Sequence, residues 1–237
     1  MLKRLLKIGL CIIAVILALG PPVGYWLRRS LNGSDLRTRY NVIYRLHIPV
    51  FKKEPNAMLG ETVSNQTPGK ALDVAMGEGR NAIWLAAKKW DVTGFDISDE
   101  GLRQAKATAQ KAGVAINAVL SSSESFDYGH EKWDLIVMSY AFTPIEDETY
   151  VARLRDSLKP GGFLVFEHYQ RVSTNDKTPG TIEPGQARQV FHDFKVLRCE
   201  EAVMRGDWLT QSKQPLTRLV ATRRIQSCRI IPLWLCF

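Results

Sequence analysis

Ala71-Leu-Asp73-Val-Ala75-Met-Gly77-Glu-Gly79-Arg-Asn81-Ala82 runs on into Ile83-Trp-Leu-Ala86 and then Trp90-Asp-Val-Thr-Gly-Phe-Asp96-Ile97-Ser98. Ala71–Ala75 is a short apolar run and predicts a strand. Two glycines then mark a tight turn in which the backbone approaches whatever lies above it. The segment 81–90 places Ile83, Ala86, Ala87 and Trp90 on one face of a helix. Val92–Ile97 predicts the next strand, closed by an acid at Asp96. A strand, a glycine turn, a helix and a second strand ending in a carboxylate make one crossover unit of a parallel sheet.

Working outward, the same alternation continues. Ser98 is an N-cap, with Asp99 and Glu100 matching the positive end of the helix dipole. Leu102, Ala105, Ala109 and Ala112 recur at helical spacing until Gly113 stops the helix. Ile116–Leu120 and Leu135–Ser139 predict strands three and four. Glu146, Asp147 and Glu148 open a helix that turns Val151, Leu154 and Leu158 inward, and Lys159-Pro-Gly-Gly162 breaks it before a strand at Phe163–Glu167. A short helix at Gln186–Phe191 precedes two strands, Lys195–Val203 and Leu216–Ala221, with no clear helix between them. The expected fold is α/β: a Rossmann-like, doubly wound, mostly parallel seven-stranded sheet with an antiparallel edge hairpin.

The ends differ from the middle. The formal net charge of +8 sits almost entirely in residues 1–55, which hold ten Lys/Arg and two acids, whereas residues 56–224 are nearly neutral. From Ile8 to Leu27 no residue is charged, and as a helix this run spans roughly 30 Å, the thickness of a bilayer core. Lys3, Arg4 and Lys7 precede it, Arg28 and Arg29 follow, and Tyr25 and Trp26 sit near its end where interfacial aromatics are expected. This pattern fits a membrane anchor over residues 1–29 contacting anionic lipid, and argues against a nucleic-acid face. A cleaved secretory signal competes, because Ala18-Leu-Gly20 resembles a cleavage site, but Pro21 and Pro22 hinder cutting there. The bias of Arg28, Arg29, Arg37 and Arg39 favours a cytoplasmic domain.

Residues 30–55 read as a basic linker or lid, residues 56–224 as the ligand-binding domain, and residues 225–237 as an apolar tail too short to span a bilayer. The four cysteines form no C-x-x-C pair, and His47, His130 and His192 share no ligand spacing, so no metal site is expected.

Gly77-x-Gly79-x-x-Ala82 also satisfies the dinucleotide fingerprint, which keeps a NAD-linked oxidoreductase open. Asp73 at the strand end, Glu78 and Arg80 crowding the turn, and the edge hairpin all count against it. The run 71–86, continued by 90–98, resembles the donor-binding core of class I S-adenosylmethionine-dependent methyltransferases. It is most similar to the tellurite-resistance subgroup, as are Glu54-Pro-Asn-Ala-Met-Leu59 and Lys159-Pro-Gly-Gly162. The resemblance covers about residues 50–224.

It implies S-adenosylmethionine as co-substrate. Asp73, Ala75, Gly77, Gly79 and Asn81 would lie under its methionine part, Asp96 would hold the ribose hydroxyls with Ile97 beside the adenine, and Ser122 would reach the adenine amine. Ser122 departs from a frequent Asp, and Ala75 and Met76 from frequent Gly or Cys.

Methyl transfer from a sulfonium mainly needs alignment, and a base only where the acceptor must lose a proton. Ligands in a parallel sheet meet at the carboxyl ends of the strands. That places Ser139 beside the donor, Tyr140 at the acceptor pocket and His168 as a candidate base. The expected acceptor is a small molecule, amphiphilic if the lid rests on a membrane. A non-catalytic module that senses the donor or its product is the remaining alternative.

Overall fold

The computed structural model describes residues 35–48, 51–171, 180–207 and 213–225. Two helices come first. Helix α1 (Leu36–Arg45) starts at Asp35, whose side chain accepts from Thr38 N, and α2 (Ala57–Val63) starts at Asn56, whose side chain accepts from Leu59 N. Alternating units follow: β1 (Lys70–Val74), α3 (Arg80–Ala87), β2 (Asp91–Asp96), α4 (Asp99–Lys111), β3 (Asn117–Leu120), β4 (Trp133–Ser139), α5 (Glu148–Ser157) and β5 (Leu158–Tyr169). The one-turn helix α6 (Ala187–Val190) leads to the hairpin strands β6 (Phe194–Met204) and β7 (Gln214–Arg223).

These seven strands form one sheet in the order β3-β2-β1-β4-β5-β7-β6. The first five are parallel, and β7 runs antiparallel to both β5 and β6. The expected architecture is therefore the observed one. Residues along each central strand alternate between two cores. Leu72, Ile136, Leu164 and Leu219 enter the core that contains Tyr150 and Leu154 of α5. Ala71, Leu135, Val165 and Val220 enter the core that contains Met58 of α2, Leu85 of α3 and Leu102 of α4. Burial on both faces is what makes these strands read as continuous apolar runs.

Element boundaries moved where backbone geometry overrode periodicity. The helix expected to reach Trp90 stops at Ala87, because Lys89 turns left-handed at φ 72°. Ser98 caps α4 through Gly101 N at 3.0 Å, as its sequence indicated. Leu158, expected on the inner face of a helix, is instead the first residue of β5 and pairs with Trp133. Lys159-Pro-Gly-Gly162 therefore interrupts the pairing inside a strand, where Gly161 has φ 80° and the register shifts between Trp133 and Leu135. Strand β5 also runs two residues past Glu167, to Tyr169.

The apolar run Ile8–Leu27 lies outside the described residues, as does all of the tail after Ile225. Among the described residues no helix is long and apolar enough to cross a membrane.

Trp133 anchors the α5 side of the sheet. It is 1% exposed and its indole N–H donates to Tyr128 O at 2.8 Å. Replacing it with Ala removes the ring and orphans that carbonyl. Urea denaturation followed by circular dichroism should show a loss of about 3–5 kcal/mol.

Candidate functional site

The turn after β1 is held by the end of β2. Asp96 Oδ2 accepts from Gly77 N at 2.8 Å and its Oδ1 accepts from Ser98 N at 2.8 Å. One carboxylate thus ties the glycine turn to the start of α4. Met76 N donates to Phe95 O and Gly79 N to Met76 O, which completes the turn. Ala75, Gly77 and Gly79 all have positive φ, at 54°, 54° and 77°. Gly77 is required for a second reason. A Cβ there would run into the hydroxyl of Tyr44, which reaches down from α1.

Two adjoining cavities open above this turn, sharing Tyr44, Phe51, Ala75 and Ser139 in their walls. The first, of about 150 Å³, is lined by Asp96, Ile97, Ser122, Tyr140 and Phe142 among others. The second, of about 360 Å³, is lined by Asp73, Gly77, Arg80 and Asn81 among others. The structure therefore gathers Asp73, Ala75, Gly77, Asn81, Asp96, Ile97, Ser122, Ser139 and Tyr140 around one cleft. Gly79 acts differently, as the left-handed N-cap of α3. Ser122 starts the turn after β3, where its hydroxyl lies 3.2 Å from that of Ser125.

The electrostatics of the cleft come from burial. Asp73 accepts from Ala82 N at 3.1 Å, and desolvation pushes its carboxyl up to about 7 against the opposing pull of Arg80 and that N–H. Desolvation also raises Asp96, opposed by the backbone N–H groups that hold it. Asp96 accepts from the backbone N–H groups of Gly77 and Ser98, one on each oxygen, and a carboxylate has further acceptor capacity beyond these two bonds. Asp73 and Arg80 put opposite charges on the second cavity, which suits the zwitterionic end of an amino acid.

The catalytic candidates need correction. Tyr140 lines the cleft with its ring only. Its hydroxyl donates to Glu167 Oε1 at 2.5 Å and accepts from Asp207 N at 3.0 Å, and burial beside Glu167 holds the phenol far above its usual range. Arg218 Nε in turn lies 2.7 Å from Glu167 Oε2, an ion contact whose N–H is not aimed at the oxygen. His168 does not line either cavity. Because β5 continues past it, His168 stays within the sheet opposite Thr217, 1% exposed, with Phe142 edge-on to its ring at 5.5 Å. A base at that position is separated from the cleft by side chains.

Other site residues carry weak sequence signals. Leu36, Tyr40 and Tyr44 roof the cleft from α1, and their i, i+4, i+8 spacing after the Asp35 cap is the signal for that face. Asn41 fastens this roof, accepting from Ser98 Oγ at 2.5 Å and from Glu100 N at 3.2 Å. These three residues lie within the stretch 30–55 read as a linker or lid. Asp207 reaches Arg80 across 127 residues of chain, and no local pattern marks it.

Comparison with known proteins agrees with this geometry. Residues 71–162 match the family described as a methyltransferase domain. The ubiquinone biosynthesis O-methyltransferase of Pectobacterium carotovorum subsp. carotovorum (strain PC1) is 32% identical over 104 residues, 43% of this chain and 44% of that protein. The probable S-adenosyl-L-methionine-dependent methyltransferase TehB of Haemophilus influenzae (strain ATCC 51907 / DSM 11121 / KW20 / Rd) is 25% identical over 143 residues, 57% of this chain and 49% of that protein. The chain thus spans about half the length of these relatives or less. The crystal structure of TehB from Haemophilus influenzae shares the fold, with a TM-score of 0.60 at 17% identity over 70% of this chain and 62% of that one. Residues 71–162 thus match a methyltransferase domain, and the chain is similar in sequence and fold to S-adenosylmethionine-dependent methyltransferases.

Proposed function

We propose that this protein transfers a methyl group from S-adenosylmethionine to a small-molecule acceptor while tethered to a membrane through residues 1–29. The observation that carries the chemistry is the cradle at the strand ends, where Asp96 both fixes the Gly77 turn and keeps lone pairs for a ribose. The bound donor supplies an electrophilic methyl group on a sulfonium. Asp96 orients the ribose, Asp73 and Arg80 hold the amino-acid end, and Leu36, Tyr40 and Tyr44 keep water from the roof. Phe51, Tyr140 and Phe142 give the cleft one aromatic wall, while Ser121, Ser123, Glu124 and Thr143 are also among its lining residues. The aromatic wall favours an acceptor with an apolar face, aligned rather than deprotonated by the protein.

The tether rests on the uncharged run Ile8–Leu27 and its basic flanks. We place the domain, residues 56–224, on the cytoplasmic side, where a cytosolic methyl donor is available. The roof helix α1 lies within the linker that follows the anchor, which favours an amphiphilic acceptor entering from lipid.

Titration calorimetry with S-adenosylhomocysteine tests the donor site. The wild-type protein should bind it, and Asp96→Ala should weaken binding at least tenfold, since two charge-assisted bonds to a diol are lost. Wild-type protein that is indifferent to the ligand would remove the proposal.

The same titration has a pH signature. Asp73 must be ionised to receive the donor ammonium, and its carboxyl sits near 7. Affinity should therefore fall as pH drops through 7, by roughly tenfold between pH 8 and pH 6, with proton release on binding at the lower pH. Asp73→Asn should flatten this profile.

For the tether, protease added outside sealed inverted membrane vesicles should digest the domain, and digestion only after detergent would reverse the orientation.

A further inference from the structure

We propose that Asp207, in the turn between β6 and β7, is a positioning residue for donor binding: its carboxylate holds the Arg80 guanidinium at the wall of the cavity that receives the amino-acid end of the donor. The assignment rests on the donor site proposed above.

Asp207 is 5% exposed, and the Arg80 side chain is 13% exposed. Arg80 Nη2 donates to Asp207 Oδ2 at 2.7 Å and to Ser139 Oγ at 3.1 Å, and Nη1 donates to Glu54 O at 2.9 Å. The same Asp207 oxygen accepts from Asn56 Nδ2 at 2.8 Å. Asn56 N in turn donates to the side chain of Asn81, which lines the cavity beside Arg80. The Asp207 backbone is fixed as well, with its N–H on Tyr140 Oη at 3.0 Å and its carbonyl accepting from Lys52 N at 2.9 Å. One residue of the segment after β6 therefore joins the glycine turn, the aromatic wall and the segment after α1.

Arg80 is the group through which Asp207 acts. A guanidinium on a long side chain has many rotamers, and a rigid carboxylate partner selects one of them. Here the selected position has Phe51 5.9 Å away, and its charge acts on the Asp73 carboxyl. Arg80 lines the cavity of Asp73 and Gly77 but not the one that holds Ile97 and Ser122. Losing its anchor should therefore be felt at one end of the donor and not at the other.

That asymmetry supplies the test. S-adenosylhomocysteine carries both the adenosyl and the amino-acid ends, whereas 5′-methylthioadenosine lacks the second. Calorimetric affinities for both ligands are measured on the full chain and on Asp207→Asn, Arg80→Ala and the double variant. Asp207→Asn keeps shape and backbone contacts, so it is the variant least exposed to misfolding.

Expected is a loss of roughly tenfold for S-adenosylhomocysteine in Asp207→Asn, the size of one charge-assisted contact, with 5′-methylthioadenosine changed less than twofold. Arg80→Ala should show the same selectivity, and the double variant should be no weaker than Arg80→Ala alone. A general loss of structure would weaken both ligands together, and that result overturns the assignment. So does an Asp207 effect that persists undiminished when Arg80 is already gone. Wild-type protein that binds neither ligand overturns the donor site itself, a failure distinct from selective binding that Asp207→Asn leaves intact.

Discussion

The carboxylate of Asp96 is the constraint on which the cleft depends. Its two oxygens pull the Gly77 turn and the Ser98 cap together, so the end of β2 dictates the path of the chain after β1. The cost is desolvation of a charge, which raises its proton affinity, and the two backbone N–H groups offset that cost. Around it the backbone accepts strain, with Ala75 and Tyr140 both left-handed, at φ 54° and 57°. Such residues cost about 1–3 kcal/mol each and persist only where their surroundings fix them. Both line the cleft, one at the donor turn and one on the aromatic wall.

A second constraint runs perpendicular to the strands. Tyr140 and Glu167 stand at the ends of neighbouring strands, and Arg218 on β7 lies directly opposite Glu167. The chain of contacts Arg218, Glu167, Tyr140, Asp207 and Arg80 therefore crosses from the antiparallel edge to the donor turn. Every link is at least four-fifths buried, where an unpaired charge is costly. This arrangement explains why Tyr140 offers only its ring to a ligand. Both hydrogen-bonding capacities of its hydroxyl are committed to the scaffold.

Much of this was legible from residue order. Apolar runs, together with caps such as Ser98, located every strand and the elements from β1 onward, because burial on two faces leaves a strong local signal, whereas the two helices before β1 were not located. That Asp73, Gly77 and Asp96 come together was legible because the ends of β1 and β2 adjoin in a parallel sheet. His168 misled for a physical reason. Strand β5 continues through it, and a side chain inside a sheet faces a core instead of the open edge. Arg80 was visible but appeared to crowd the turn, since its partner Asp207 lies too far along the chain for any periodicity to connect them. Tyr44 was hidden for the same reason: its contact with Gly77 is tertiary, and it depends on Asn41 clasping the start of α4.

The hairpin carries a consequence for biosynthesis. Strands β6 and β7 are made after the five parallel strands, yet the segment between them carries Asp207, whose partner Arg80 belongs to the first crossover unit. A ribosome-bound chain shorter than 207 residues can pair β1 with β2 and form the glycine turn, but its Arg80 lacks this counter-ion. Completion of the cleft is thereby deferred until the hairpin has been synthesised. Non-local closure of this kind pays its loop entropy late and slows the final step of folding.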